Sequence, residues 1–189
     1  MSSVSSELIT IKLINKEIPK MLMSEESDLV KEFSNFFEEE DKKKEKEEMA
    51  LFVKTFKTYF DEIKKKKFND GNAIVNFVDW ARSAIYNANN SNNPKEKTIQ
   101  FLGKGLGTFL ALFEYIIPNP KYNDMVSRGD VIEKIDGRVD DMAKELKSIG
   151  KTVKLKFIKN RLQKVARRYA GKLNPRMQAF LSQTAAKFA

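Results

Sequence analysis

The chain has 189 residues, 41% of them hydrophobic, and a formal net charge of +9 at neutral pH. That length and apolar content suit one domain, with or without arms, and exclude global disorder. Neither Cys nor His occurs, which excludes disulfides, thiolate nucleophiles and the commonest general acid–base and metal ligand. A non-enzymatic chain with no cofactor, no metal and no catalytic residues is therefore expected.

The charge is unevenly placed. Residues 142–189 hold thirteen Lys and Arg against one acid, Glu145, whereas residues 1–141 hold 22 basic and 25 acidic residues. Such asymmetry points to a polyanionic partner, either nucleic acid or an anionic membrane. Gln appears only four times while Lys and Glu abound, a composition that suits a hot environment. The opening "MSSVSSELIT" lacks the basic-then-apolar pattern of a secretory signal. No run of about 18 uninterrupted apolar residues predicts a transmembrane helix.

Residues 8–23 read equally as a short strand or the first turns of a helix, and Pro19 interrupts either. Ser24 is a candidate N-cap, with Glu25 and Glu26 suiting a helix start. Leu29, Phe33, Phe36 and Phe37 follow at helical spacing. The run "EEEDKKKEKEE" (38–48) has no apolar residue. It is a solvated helical segment or a loop, and its Glu and Lys, unbroken by Gly or Pro, favour helix. Residues 1–48 are thus expected to form an N-terminal helical arm and charged connector.

Met49, Phe52, Val53, Phe56, Tyr59, Phe60 and Ile63 form an amphipathic stripe. "FNDG" (68–71) signals a turn. The next helix carries Ile74, Phe77, Val78, Ala81, Ala84 and Ile85, with Trp80 beside this face, and "NNSNNP" (89–94) is a linker. "TIQFLGKGLGTFLALFEYII" (98–117) is the most apolar stretch. Gly103 and Gly107 fall on one face of it and would allow a neighbouring helix to approach closely. Pro118 and Pro120 stop it. Ile132, Ile135, Val139, Met142, Leu146 and Ile149 then alternate by three and four, as in a coiled-coil seam for core or subunit packing. Gly150 offsets the pattern before Leu155, Ile158, Leu162, Val165 and Tyr169 resume it. Gly171 and "LNP" end that helix, and Pro175 suits the first turn of a last one.

The expected fold is all-α: an antiparallel helical bundle over 49–149, with extended helical arms. Residues 150–189 supply a basic, nucleic-acid-facing helix and a C-terminal helix, which project as an arm or complete the bundle.

Several motifs lose to plainer readings. "GKGLG" (103–107) is neither a Walker A loop nor a dinucleotide fingerprint, because Ser or Thr does not follow the Gly-Lys and no strand precedes it. The acids at 38–41 and the set Asp136, Asp140 and Asp141 read as solvated faces rather than metal or catalytic sites. The Phe residues fall mainly on apolar stripes. Phe157 and Tyr169 lie close to basic residues and suit either packing or base stacking.

The stretch 151–178, "KTVKLKFIKNRLQKVARRYAGKLNPRMQ", contains ten basic residues and no acid. On a helix over 151–172 the apolar set makes one narrow stripe, and Lys154, Arg161 and Arg168 recur every seven residues along its flank. An ordinary solvated face mixes signs, and this one does not. Self-repulsion destabilises such a helix until counter-charge arrives, and phosphate supplies it. The candidate phosphate contacts are Lys151, Lys154, Lys156, Lys159, Arg161, Lys164, Arg167, Arg168, Lys172 and Arg176. Nothing in the sequence suggests base reading, so the expected mode is sequence-independent backbone contact.

A helical bundle, an N-terminal arm, the extended basic helix "KFIKNRLQKVARRYAGK" and the small-residue-rich ending "LNPRMQAFLSQTAAKFA" together resemble the coat proteins of archaeal filamentous viruses. The resemblance is one of layout over most of the chain. It implies a capsid subunit that pairs with itself or a paralogous coat protein as dimers, wrapping double-stranded DNA in a helical filament, with a lipid envelope in some members. The implied location is the virion, and the host cytoplasm during assembly. The alternatives are a small helical subunit of an RNA-guided effector complex and a helical module that binds anionic membranes.

Overall fold

The computed structural model describes residues 42–149 and 152–189. The expectations for residues 1–41, and for Gly150 and Lys151, lie outside the described residues. Among the described residues, seven α-helices carry the fold: α1 (Lys42–Lys64), α2 (Gly71–Ala88), α3 (Lys95–Ala111), the short α4 (Asn123–Ser127), α5 (Val131–Ile149), α6 (Thr152–Arg168) and α7 (Pro175–Ala186). No strand occurs among the described residues. The described part of the 38–48 run forms the first turns of α1.

Local chemistry sets the boundaries. Asp70 caps α2, its carboxylate accepting from the Ala73 N–H at 2.9 Å, which satisfies one of the open donors of the first turn. Tyr122 pins the loop before it, its hydroxyl accepting from the Phe68 N–H at 3.2 Å. Asn174 caps α7 in the same way, accepting from the Met177 N–H at 2.9 Å, and Pro175 occupies the first turn. α6 stops at Arg168, and Gly171 takes a positive φ of 77° in the turn that follows, a conformation open to glycine at no steric cost.

The helices α1 and α3 run parallel, and so do α2 and α5. Along α1 and α3, Glu48 pairs with Lys95, Thr55 lies against Gly103 and Phe60 meets Tyr115. Along α2 and α5, Asp79 meets Arg138 and Asn89 bonds Glu145. The helix α3 sits between α1 and α2 because its glycines are on opposite sides. A Cβ on Gly107 would lie 2.5 Å from the Phe56 carbonyl oxygen of α1, and one on Gly105 would lie 2.6 Å from Cδ1 of Ile85 in α2. "GKGLG" is therefore a close-packing device. On the outer side, Tyr59 and Trp80 stack across from α1 to α2, with centroids 5.4 Å apart.

One apolar core joins all of this. It includes Phe52, Phe56, Leu102, Leu106, Phe109 and Phe113, and it continues through Leu155, Ile158, Leu162, Met177, Phe180 and Phe188. Of the two courses open to residues 150–189 in the sequence, the described part takes the second: α6 and α7 complete the bundle, with their apolar stripe buried in the same core. The seam of α5 is also internal. Ile135, Val139, Met142 and Leu146 are buried, and Ile132 and Ile149 are half-buried against them.

The apolar stretch 98–117 lies in the core. Among the described residues no single helix is long and apolar enough to cross a membrane. The continuation of α3 is not α-helical, however. Leu112–Ile116 forms a π turn, closed by the Ile117 N–H donating to the Leu112 carbonyl at 2.7 Å.

Candidate nucleic-acid interface

The sequence LKFIKNRLQKVARR (155–168) meets the bundle through about half of the circumference of α6, taken at about 100° per residue. Leu155, Phe157, Ile158, Arg161, Leu162, Val165 and Ala166 are all buried. That face is broader than the narrow stripe read from periodicity. Phe157, open to two readings in the sequence, is a packing residue, and Tyr169 is half-buried.

Opposite lies the solvent face. Lys156, Asn160, Lys164 and Arg167 are exposed and Gln163 is half-buried. Their spacings of four, three, one and three place them on one side of the helix. Arg168 is exposed at the helix end, Lys172 is exposed in the following turn and Lys159 is half-buried. Among the described residues, no carboxylate reaches ion-pair distance of Lys156, Lys159, Lys164, Arg167, Arg168 or Lys172. These six cations form a surface that mixes in no negative charge. Lys156 and Arg167 are eleven residues apart, a rise of roughly 16 Å, or about five phosphate steps at 3.4 Å per strand residue.

The other candidates fall elsewhere. Arg161 does not face solvent, which corrects its place among the phosphate contacts. Its guanidinium is buried against the Glu114 carboxylate, with Nη2 2.7 Å from Oε2 and 2.9 Å from Oε1, and Nε 3.2 Å from Oε1. It also lies 5.5 Å from the Phe157 ring centroid and 5.7 Å from that of Phe60. A forked guanidinium facing a carboxylate with two bonds is a strong, directional pairing. Arg176 is exposed, but it bonds the Glu133 carboxylate at 2.8 Å and the Gly129 carbonyl at 3.1 Å, and it also contacts the Ser127 carbonyl. It ties α7 to the start of α5 and is only in part available to an anion. Lys151 lies outside the described residues, and the Lys154 side chain lies outside the described side chains.

Asp136 and Asp140 of α5 share a structural partner, and Asp141 is exposed. Lys187 reaches Asp136 at 2.9 Å and also bonds Asp140. Burial lowers the Lys187 pKa, but hydrogen bonds to Asp140 and Asp136, together with their charges, outweigh it and hold the ammonium above its ordinary range. Among the described residues no group of three acidic side chains is arranged to hold a metal ion.

Glu114 carried a usable signal. A lone carboxylate inside "TFLALFEYII" must be buried if that helix is core, and a buried carboxylate needs a cation. The sequence does not say which of ten basic residues supplies it, because Arg161 sits on the edge of the apolar stripe and reads equally as flank. No protein-family model, no curated protein and no solved structure matches this chain.

Proposed function

We propose that this chain coats nucleic acid through sequence-independent phosphate contacts, without catalysing a reaction. The observation that carries the reading is the acid-free exposed surface of Lys156, Lys159, Lys164, Arg167, Arg168 and Lys172 on a helix whose other face is locked in the core. Like charges at this density repel one another, and phosphates relieve the repulsion while releasing condensed counterions. The rigid seat matters as well, because cations fixed on one helix can meet a regular phosphate ridge together. With the resemblance in layout, the reading extends to a coat subunit that polymerises along double-stranded DNA in a filamentous virion.

The test is duplex binding as a function of salt. Log affinity is expected to fall linearly with log salt, by about 0.9 for each phosphate neutralised. Replacing Lys156, Lys164, Arg167 and Arg168 together by Gln is expected to reduce that slope by about 3 to 4, with the helical circular dichroism retained. An affinity that ignores salt sinks the proposal. Flotation with anionic vesicles but no shift of duplex DNA assigns the surface to lipid instead. Electron microscopy of the chain mixed with linear duplex tests the filament directly.

A further inference from the structure

We infer that Glu114 is a positioning residue for the basic face of α6, acting through Arg161; this rests on the proposed function above. Of the cations on α6 whose side chains are described, Arg161 alone is buried. Its carboxylate partner comes from the π turn that follows α3. In an unbroken α-helix Glu114 would continue the row of Gly103 and Gly107, seven residues beyond Gly107, and point at α1. The π turn spreads one turn over an extra residue and changes that phase, and Glu114 meets α6 instead. Unusual helical turns of this kind recur at functional positions.

The apolar face of α6 alone leaves its rotation loosely specified. Leu, Ile, Val, Phe and Ala side chains repack readily when the helix turns by a fraction of a residue. A buried charge pair does not tolerate such a turn. One side chain of the pair without the other leaves an uncompensated charge in the core, so this pair selects a single setting. In that setting Lys156, Lys164 and Arg167 face outward together. The rings of Phe60 and Phe157, with centroids 5.7 and 5.5 Å from the Arg161 guanidinium carbon, crowd it further.

The test uses the full chain with the isosteric Glu114→Gln. The substitution removes a negative charge, so bulk electrostatics predicts tighter duplex binding. Positioning predicts the reverse: a salt slope lower than wild type by more than one phosphate's worth, about 0.9. The chain has no native Cys, so a spin label on Gln163→Cys reports α6 alone, and its mobility is expected to rise in the Glu114→Gln background. Phe109→Ala, a core truncation whose ring packs on Phe113 and Phe188, is expected to lower stability and leave the slope unchanged. If Glu114→Gln does not fold, Arg161→Lys keeps the charge, loses the fork and is expected to show the same two changes. A folded variant with wild-type slope and wild-type label mobility overturns the inference. Should the wild-type chain bind no duplex at all, the proposed function falls, and label mobility alone then decides the role of Glu114.

Discussion

Gly107→Ala puts the packing of α3 to a direct test. Glycine to alanine inside a helix normally stabilises by about 1 kcal/mol through propensity. Here the added Cβ would stand 2.5 Å from the Phe56 carbonyl oxygen, 3.2 Å from its carbon and 3.3 Å from Cα. All three atoms are backbone, so no rotamer change relieves the contact. α1 must move outward by roughly half an ångström or more. A gap of that size forfeits about a quarter or more of the dispersion well for each affected contact. Phe52, Phe56, Phe60 and Ile63 of α1 are all buried in the shared core. Overpacking at the upper end of its range costs about 3 kcal/mol, and after the propensity gain the net loss is about 2 kcal/mol. For a chain of this size that lowers Tm by about 4–8 °C. Gly137→Ala is the matched control. It lies in α5, exposed, with nothing within 4 Å of the added atom, and is expected to gain about 1 kcal/mol. Urea denaturation followed by helical circular dichroism measures both. If both substitutions stabilise, α1 does not approach α3 as described and the reasoning fails.

Other outcomes follow from the same contacts. Asp70→Ala removes the α2 cap and is expected to cost about 1 kcal/mol by urea denaturation, with Asp70→Asn nearly silent. Phe109→Ala empties a fully buried site and is expected to cost about 3–5 kcal/mol by the same measurement. Lys187→Met removes the partner of Asp136 and Asp140. Because the folded pKa of Lys187 stands above the ordinary 10.5, the stability it confers is full below that value and lost as pH rises through the folded pKa. Melting curves of the two proteins are therefore expected to differ at neutral pH and to converge only in strong alkali.

Sequence periodicity captured the helices because one-sided burial is a strong and repeated signal. The stripe from Phe52 to Ile63 and the seam from Ile135 to Leu146 are buried as their spacing implies. The glycine row was legible for the same reason, since Gly103 and Gly107 share a face, although Gly105 and its opposite contact with α2 were not singled out. Direction was harder. The last two helices could leave the bundle or join it, because an amphipathic stripe shows that a face is covered and not by what. Arg161 illustrates the limit most clearly. Charge is read from a sequence as outward unless a specific partner is known. Glu114 lies 47 residues away, on a π turn that no local pattern announces. Ten basic residues therefore looked equivalent in the sequence, although the fold treats Arg161 and Arg176 differently from Lys156, Lys159, Lys164, Arg167, Arg168 and Lys172.

The stack of Tyr59 on Trp80 has a practical use. Trp80 is the chain's single tryptophan, it is 42% exposed, and its ring spans two helices that are otherwise held apart by a third. Its emission is therefore an optical gauge of whether the first hairpin is closed over its central strut, readable without any dye. The basic helix packs mainly on α7 and the π turn and its exposed cations are on its far side, so titrating a polyanion should leave that glow steady while unfolding shifts it to the red.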